Sequence, residues 1–263
     1  MMGGALELGK KMSPEEAKAY VDSLYKSTLD RWKEKVTGSP FMRELMAGKL
    51  SMEAIRLFWK NWAFYVFEIN NLIACAYQRH IGFFKRHPDL LAAFSAKVAD
   101  EYIHPRPPGH ILIVLEQGEI FGVSREEMIA CEMLAECRGI LEFKRGLLYE
   151  GTMLEWWSSL ATEEAIGHWA GQWRTALMEK YKLPSAKARY FETHAEADLE
   201  EHEGVMGHGE FNRTVMQRLL QSGLVDLRPG FSPEYVLRTC VDCYGLFFRG
   251  VYETACPAQQ GRP

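Results

Sequence analysis

SMEAIRLFWKNWAFYVFEINNLIACAY, residues 51–77, decides the fold class. Its apolar residues recur every three to four positions: Ala54, Ile55, Leu57, Phe58, Trp59 and Trp62, then Val66, Ile69, Leu72, Ile73 and Ala76. That spacing is the period of a helix and not of a strand, and the stripe is wide enough to be buried along its length.

The same grammar extends in both directions. Ser13-Pro14-Glu15-Glu16 sets a cap, a first-turn proline and a capping-box glutamate in order, and Ser124 with Glu127 and Ser232-Pro233-Glu234 repeat parts of it. The pattern predicts helices near 13–36, 51–80, 88–104, 110–121, 124–149, 153–182, 185–205, 210–223 and 232–256. Nothing between them reads as a strand, and no linker rich in Gly, Ser or Pro divides the chain. We expect an all-α compact helical bundle, with residues 13–256 as a single domain, 1–12 as a flexible N-terminal tail and 257–263 as a C-terminal tail.

Composition narrows the function. The chain has 263 residues, 47% of them hydrophobic, which is enough for a large core. Its 31 basic and 35 acidic residues are interspersed and give a net charge of −4, so no basic stripe invites nucleic acid. No apolar run reaches the roughly 20 residues that cross a bilayer, and MMGGALELGKKMSPEE lacks the plan of a secretion signal. These features predict a cytoplasmic protein that acts on a small molecule without nucleic acid or membrane as partner, with a homodimer left open. The six cysteines are then expected as reduced thiols, and Cys240 and Cys243, a lone C-x-x-C in an apolar helical stretch, as core residues.

Chemistry concentrates elsewhere. Six of eight histidines lie between 104 and 208, near carboxylates. In Tyr190–His202, Asp198 falls about 40° around a helix from His194, and His202 about 80°, so the three share a face. Two imidazoles and a carboxylate suit iron, manganese or zinc, and the surplus of acids favours iron or manganese. A solvated acidic helix is the plainer alternative. Glu101 and His104 sit three apart ahead of Pro105-Arg106-Pro107-Pro108-Gly109, which must break the helix, and His110 opens the next apolar stretch. Either histidine could reach a metal, and either could simply cap a helix. Glu163 and Glu164 interrupt an apolar helix with Trp156, Trp157, Trp169 and Trp173, and only one of them can face inward. Glu68 stands in an aromatic stripe as a further ligand, a substrate contact or a satisfied core group.

These segments, in their order over roughly residues 38–250, resemble the TenA/PqqC superfamily. The resemblance rests on Ser39-Pro40-Phe41, Leu50-Ser51, Asp100-Glu101, Gly122-Val123-Ser124-Arg125-Glu126-Glu127, Ser159-Leu160-Ala161-Thr162-Glu163 and Tyr190-Phe191-x-x-His194. It implies a heme-oxygenase-like fold, and the ligand pattern is most similar to the diiron oxidases and oxygenases of that fold, the CADD- and UndA-like branch. By that likeness Glu101, His104 or His110, Glu163, His194, Asp198 and His202 would hold two Fe(II) ions, or manganese, with O2 as co-substrate. Glu101, Glu163 and Glu68 would be the catalytic acids, and Trp62, Tyr65 and Trp169 would wall a pocket for an amino-acid-derived or fatty-acid-like substrate. The sequence departs from that branch twice: in the proline-rich insertion, and in the spacing His194-x3-Asp198-x3-His202, which puts Glu201 where the branch has its last histidine. The alternatives are a PqqC-like cofactor-free oxidase, a TenA-like thiamin-salvage hydrolase, for which no cysteine lies in the required Pro-Cys-x3-Tyr setting, and a metal-free binding or regulatory protein.

Overall fold

A computed structural model describes residues 6–103, 109–199 and 206–257, with the backbone alone described for 196–199. No strand occurs among the described residues. The helices are α1 (Pro14–Trp32), α2 (Pro40–Met46), α3 (Met52–Phe84), α4 (Pro88–Tyr102), α5 (His110–Ile120), α6 (Arg125–Ile129), α7 (Ala135–Tyr149), α8 (Met153–Leu160), α9 (Thr162–Glu179), α10 (Arg189–Leu199), α11 (His208–Ser222) and α12 (Pro233–Ala255). None of them is long and apolar enough to cross a membrane.

The three expected starts are present. Ser13 and Ser124 each form a complete capping box, and Ser232 accepts from the Tyr235 amide. Ser51 starts α3 by accepting from the Ala54 amide. The 33 residues of α3 make a rod about 50 Å long, the scaffold on which the other helices gather.

Three boundaries differ from the reading of the sequence. The stretch 124–149 is two helices, because Asn61 Oδ1 accepts from the Leu134 amide at 2.9 Å and fixes the chain in a non-helical segment before α7. The stretch 153–182 breaks at Ala161, and α1 runs into a π-helical turn over Lys33–Thr37. The short helix α2 was not expected; Ser39 caps it and Pro40 occupies its first turn.

An aromatic cluster fills the interior. Phe58 of α3 lies 5.0 Å from Trp173 and 5.5 Å from Trp62, ring centre to ring centre, and meets Phe247 and Phe248 of α12. Trp173 of α9 stacks on Phe191 of α10 at 5.3 Å, and the Trp59 indole donates to the Val114 carbonyl at 2.8 Å, tying α3 to α5. Cys137 and Cys240 are buried in this core, and all six thiols are free. Beside this core a small cavity opens, lined from α3, α4, α7, α9, α10 and α11.

Candidate functional site

Glu101 occupies the last turn of α4 and is buried. The chain returns at Gly109, which caps α5 where a side chain would not fit: a Cβ there would lie 2.6 Å from the Glu101 carbonyl oxygen and the Ile103 amide nitrogen. That close approach brings His110 against Glu101, with Nδ1 3.3 Å from Oε2. His194 comes from α10, its ring centre 4.5 Å from that of His110. His208, the first residue of α11, places Nδ1 4.0 Å from Glu101 Oε1 and Nε2 3.5 Å from Asp100 Oδ2. One carboxylate thus faces three imidazoles, all supplied by different helices from its own.

Further groups orient these side chains. Asn70 of α3 donates to Glu101 Oε2 at 2.8 Å. The Trp62 indole donates to the Tyr190 hydroxyl at 2.7 Å, and that hydroxyl lies 3.4 Å from His194 Nε2. Burial works against an ionised Glu101, yet His110, which also bonds to it, and then His208 outweigh it and hold the carboxyl well below the ordinary glutamate range. Burial and then the neighbouring His110 push His194 down, so its imidazole is neutral. An ionised carboxylate and a neutral imidazole are the protonation states that ligate metals.

The cavity, about 50 Å³, is lined by Glu101, His194, His208, Asn70, Glu163 and Lys144, with Trp62, Tyr65, Val66, Ile69, Ile73 and Ile166 as its apolar walls. Glu163 and Glu164 face opposite ways. Glu164 pairs with both arms of Arg213 at 2.9 Å, whereas Glu163 enters the cavity wall, where Lys97 Nζ and the Asn212 amide, the latter at 2.7 Å, both bond to its Oε2.

The structure therefore brings together Glu101, His110, Glu163 and His194, with Trp62 and Tyr65 at the wall. Glu68 is not among them, because Arg145 pairs with it at 2.9 Å on a half-exposed surface. Trp169 is buried behind the wall, 4.9 Å from Trp62, and supports the cavity without lining it. His168, beside the glutamates in sequence, is exposed. His104, Glu201, His202 and the side chain of Asp198 lie outside the described residues.

Four participants were missed. Lys97 stands one helical turn before Glu101, and Asn70 and Lys144 each occupy a position on an apolar stripe, which was the available signal. His208, between Gly207 and Gly209, has no sequence partner at ligand spacing; only the packing of α11 against α4 and α10 brings it in.

The donor types at the cavity, carboxylate and imidazole, are ones that suit iron or manganese. Nδ1 of His194 is buried without a hydrogen-bond partner among the described residues, as a ring nitrogen awaiting a further bond would be, whereas Nδ1 of His110 faces Glu101 Oε2. Asp100 behind His208 repeats the arrangement in which a carboxylate orients a ligating imidazole. No group of three or more His, Cys, Asp or Glu side chains among the described residues is placed so that it could hold a metal ion. Glu163, needed for a second ion, is held by Lys97 and Asn212.

No family model matches the sequence, and no curated protein matches it. Solved structures do match in fold. A domain of unknown function with a heme oxygenase-like fold from Shewanella denitrificans superposes with a TM-score of 0.62 at 13% identity, covering 96% of this chain and 97% of that one. A TenA homologue from Pseudomonas syringae gives 0.62 at 16%, covering 95% and 100%. A CADD-like protein of unknown function from Nostoc punctiforme gives 0.61 at 13%, covering 90% and 99%. At such identities the likeness extends to the fold alone, and the chain is a protein of the heme oxygenase-like all-α fold, the type found in the TenA/PqqC superfamily.

Proposed function

We propose that this chain is an O2-dependent non-heme iron oxidase of a small organic molecule. The observation that carries the reading is the convergence of the His110, His194 and His208 imidazoles on the buried Glu101 carboxylate, with His194 Nδ1 lacking a hydrogen-bond partner among the described residues. Glu101, His110, His194 and His208 would hold one ion. A second would use Glu163, released from Lys97, together with Asp198 and the segments carrying His104 and His202. Reduced iron supplies the electrons that O2 cannot draw pairwise from a closed-shell organic molecule.

The protein's own groups do the rest. Asn70 fixes the Glu101 carboxylate, Asp100 orients His208, and Tyr190, itself fixed by Trp62, orients His194. Val66, Ile69, Ile73 and Ile166 keep bulk water from the reacting position. Lys97 and Asn212 both bond to Oε2 of Glu163 and hold its carboxylate in place at the cavity wall.

Anaerobic Fe(II) titration with metal analysis, followed by admission of O2, tests the reading. We expect iron to be retained, two ions per chain if Glu163 takes part and one if it does not, and a transient visible absorbance on oxygenation. Glu101→Gln and His194→Ala should each lose the iron while keeping the helical circular dichroism. A wild-type chain that retains no iron, or variants that retain it unchanged, would sink the proposal.

A metal-free oxidation of the PqqC-like kind is the second reading, favoured by Lys144, buried at the cavity, and by Lys97, buried against the lining residue Glu163. It predicts O2 uptake that survives chelation. A thiamin-salvage hydrolase draws no support, since no cysteine lines the cavity among the described residues.

A further inference from the structure

Lys144 occupies a polar corner of the cavity that the Glu101 cluster does not use. On α7 it shares a stripe with Ile140, Leu141, Leu147 and Leu148, and it is 1% exposed. Its ammonium lies 3.5 Å from Thr162 Oγ1 and 5.9 Å from the centre of the Tyr244 ring, and the Tyr244 hydroxyl bonds to that of Tyr65. Thr162 gives its own proton to the Ser159 carbonyl at 3.0 Å, which leaves its oxygen able to accept from Lys144. Thr162, Tyr65 and Tyr244 are all buried.

No carboxylate among the described residues pairs with this ammonium. Glu163 is engaged by Lys97 and Asn212, and Glu101 by Asn70 and the imidazoles. A buried cation without a counter-charge is strongly unfavourable, and one hydroxyl does not offset it. Burial pushes the Lys144 ammonium down, while Cys240 and Glu163 act against that shift and Lys97 with it. An anion entering the cavity would supply the counter-charge that the described residues do not place beside Lys144.

We propose that Lys144 binds the carboxylate of a short monocarboxylic acid, whose hydrocarbon body lies along Val66, Ile69, Ile73 and Ile166 and whose reacting carbon faces the Glu101–histidine cluster. The last clause rests on the oxidase reading; the binding itself does not. A cavity of about 50 Å³ is far smaller than one that holds a benzene ring, so the acid is short.

Calorimetry on the full chain, with chelator present and again after anaerobic Fe(II) loading, tests this with acetate, butyrate and hexanoate, the matching neutral amides, and chloride. The chelated wild-type protein should bind acetate or butyrate, with the amides and chloride at least about tenfold weaker. Lys144→Met should lose about tenfold or more in affinity for the acid. Unliganded, that variant should melt no lower than wild type, because it removes an uncompensated charge; a clear fall in its melting temperature would make Lys144 a structural residue and overturn the assignment. Equal binding of acid and amide, equal binding of chloride and butyrate, undiminished acid binding by Lys144→Met, or no acid bound by wild type would each overturn it as well. Acid binding that depends on Lys144 in a chain that retains no iron would leave the anchor standing and remove the oxidase reading; iron retention with acid binding indifferent to Lys144 would do the reverse.

Discussion

At the scale of single residues, Gly109 sets the site as firmly as any ligand does. His110 reaches Glu101 because the chain at Gly109 lies against the end of α4, with no room for even a methyl group. Gly109→Ala should therefore displace α5 from α4 and weaken Fe(II) binding by tenfold or more, while the helical content stays at the wild-type value; metal analysis beside circular dichroism would detect the difference. Lys97 and Glu163 form the other decisive pair. Removing one partner of a buried ion pair costs about 3–5 kcal/mol, whereas replacing both with apolar groups is often neutral. Lys97→Met alone should lower the denaturation midpoint strongly in the absence of metal, and the double change with Glu163→Met should recover most of the loss. Additive losses in that cycle would mean that the pair is not coupled.

At the scale of elements, the segment after α11 is pinned by one buried acid. Glu155 of α8 accepts from the Arg228 amide at 2.7 Å and from its guanidinium at 2.8 Å, and it is fully buried. Glu155→Ala would leave the half-exposed Arg228 and its amide without that partner, so we expect a loss of about 3 kcal/mol, read from urea unfolding. Gly118 does similar work where α5 crosses α3, because a Cβ there would stand 2.2 Å from Met128 Sδ and 2.5 Å from Trp59 Cδ1. Periodicity located α3, α4 and α12 well, since long helices with one buried stripe announce themselves by spacing. It could not locate the break before α7, which depends on a hydrogen bond to Asn61, a residue 73 positions away.

At the scale of the whole molecule, stability should fall as the solution turns mildly acid. His80 packs edge-on against Trp157, and burial, with Arg79 nearby, lowers its pKa from the ordinary 6.5 to about 4. The unfolded chain therefore takes up a proton between pH 6.5 and 4 that the folded chain refuses, so stability present above pH 6.5 is lost across that window. His194, lowered by its own burial, acts in the same direction. His80→Phe should keep the contact with Trp157 and reduce, without abolishing, the drop in melting temperature between pH 7 and pH 5. An unchanged drop would show that His80 titrates normally in the folded chain.

The sequence by itself determined the helical class, the main helix starts and the acids and imidazoles worth watching, because caps and apolar periods are local and each helix carries its own. It also marked Glu101, one of Glu163 and Glu164, and His194 as candidates for the interior. Tertiary structure alone decided which of them meet. His208 and Lys97 joined the site and Glu68 left it because contact between side chains on different helices depends on how those helices pack, and an acid on an apolar stripe stays out of a core when an arginine such as Arg145 stands at its edge. The same packing left Lys144 buried without a paired carboxylate among the described residues, a condition that no spacing within one helix can encode, since it is a property of everything that surrounds the ammonium group.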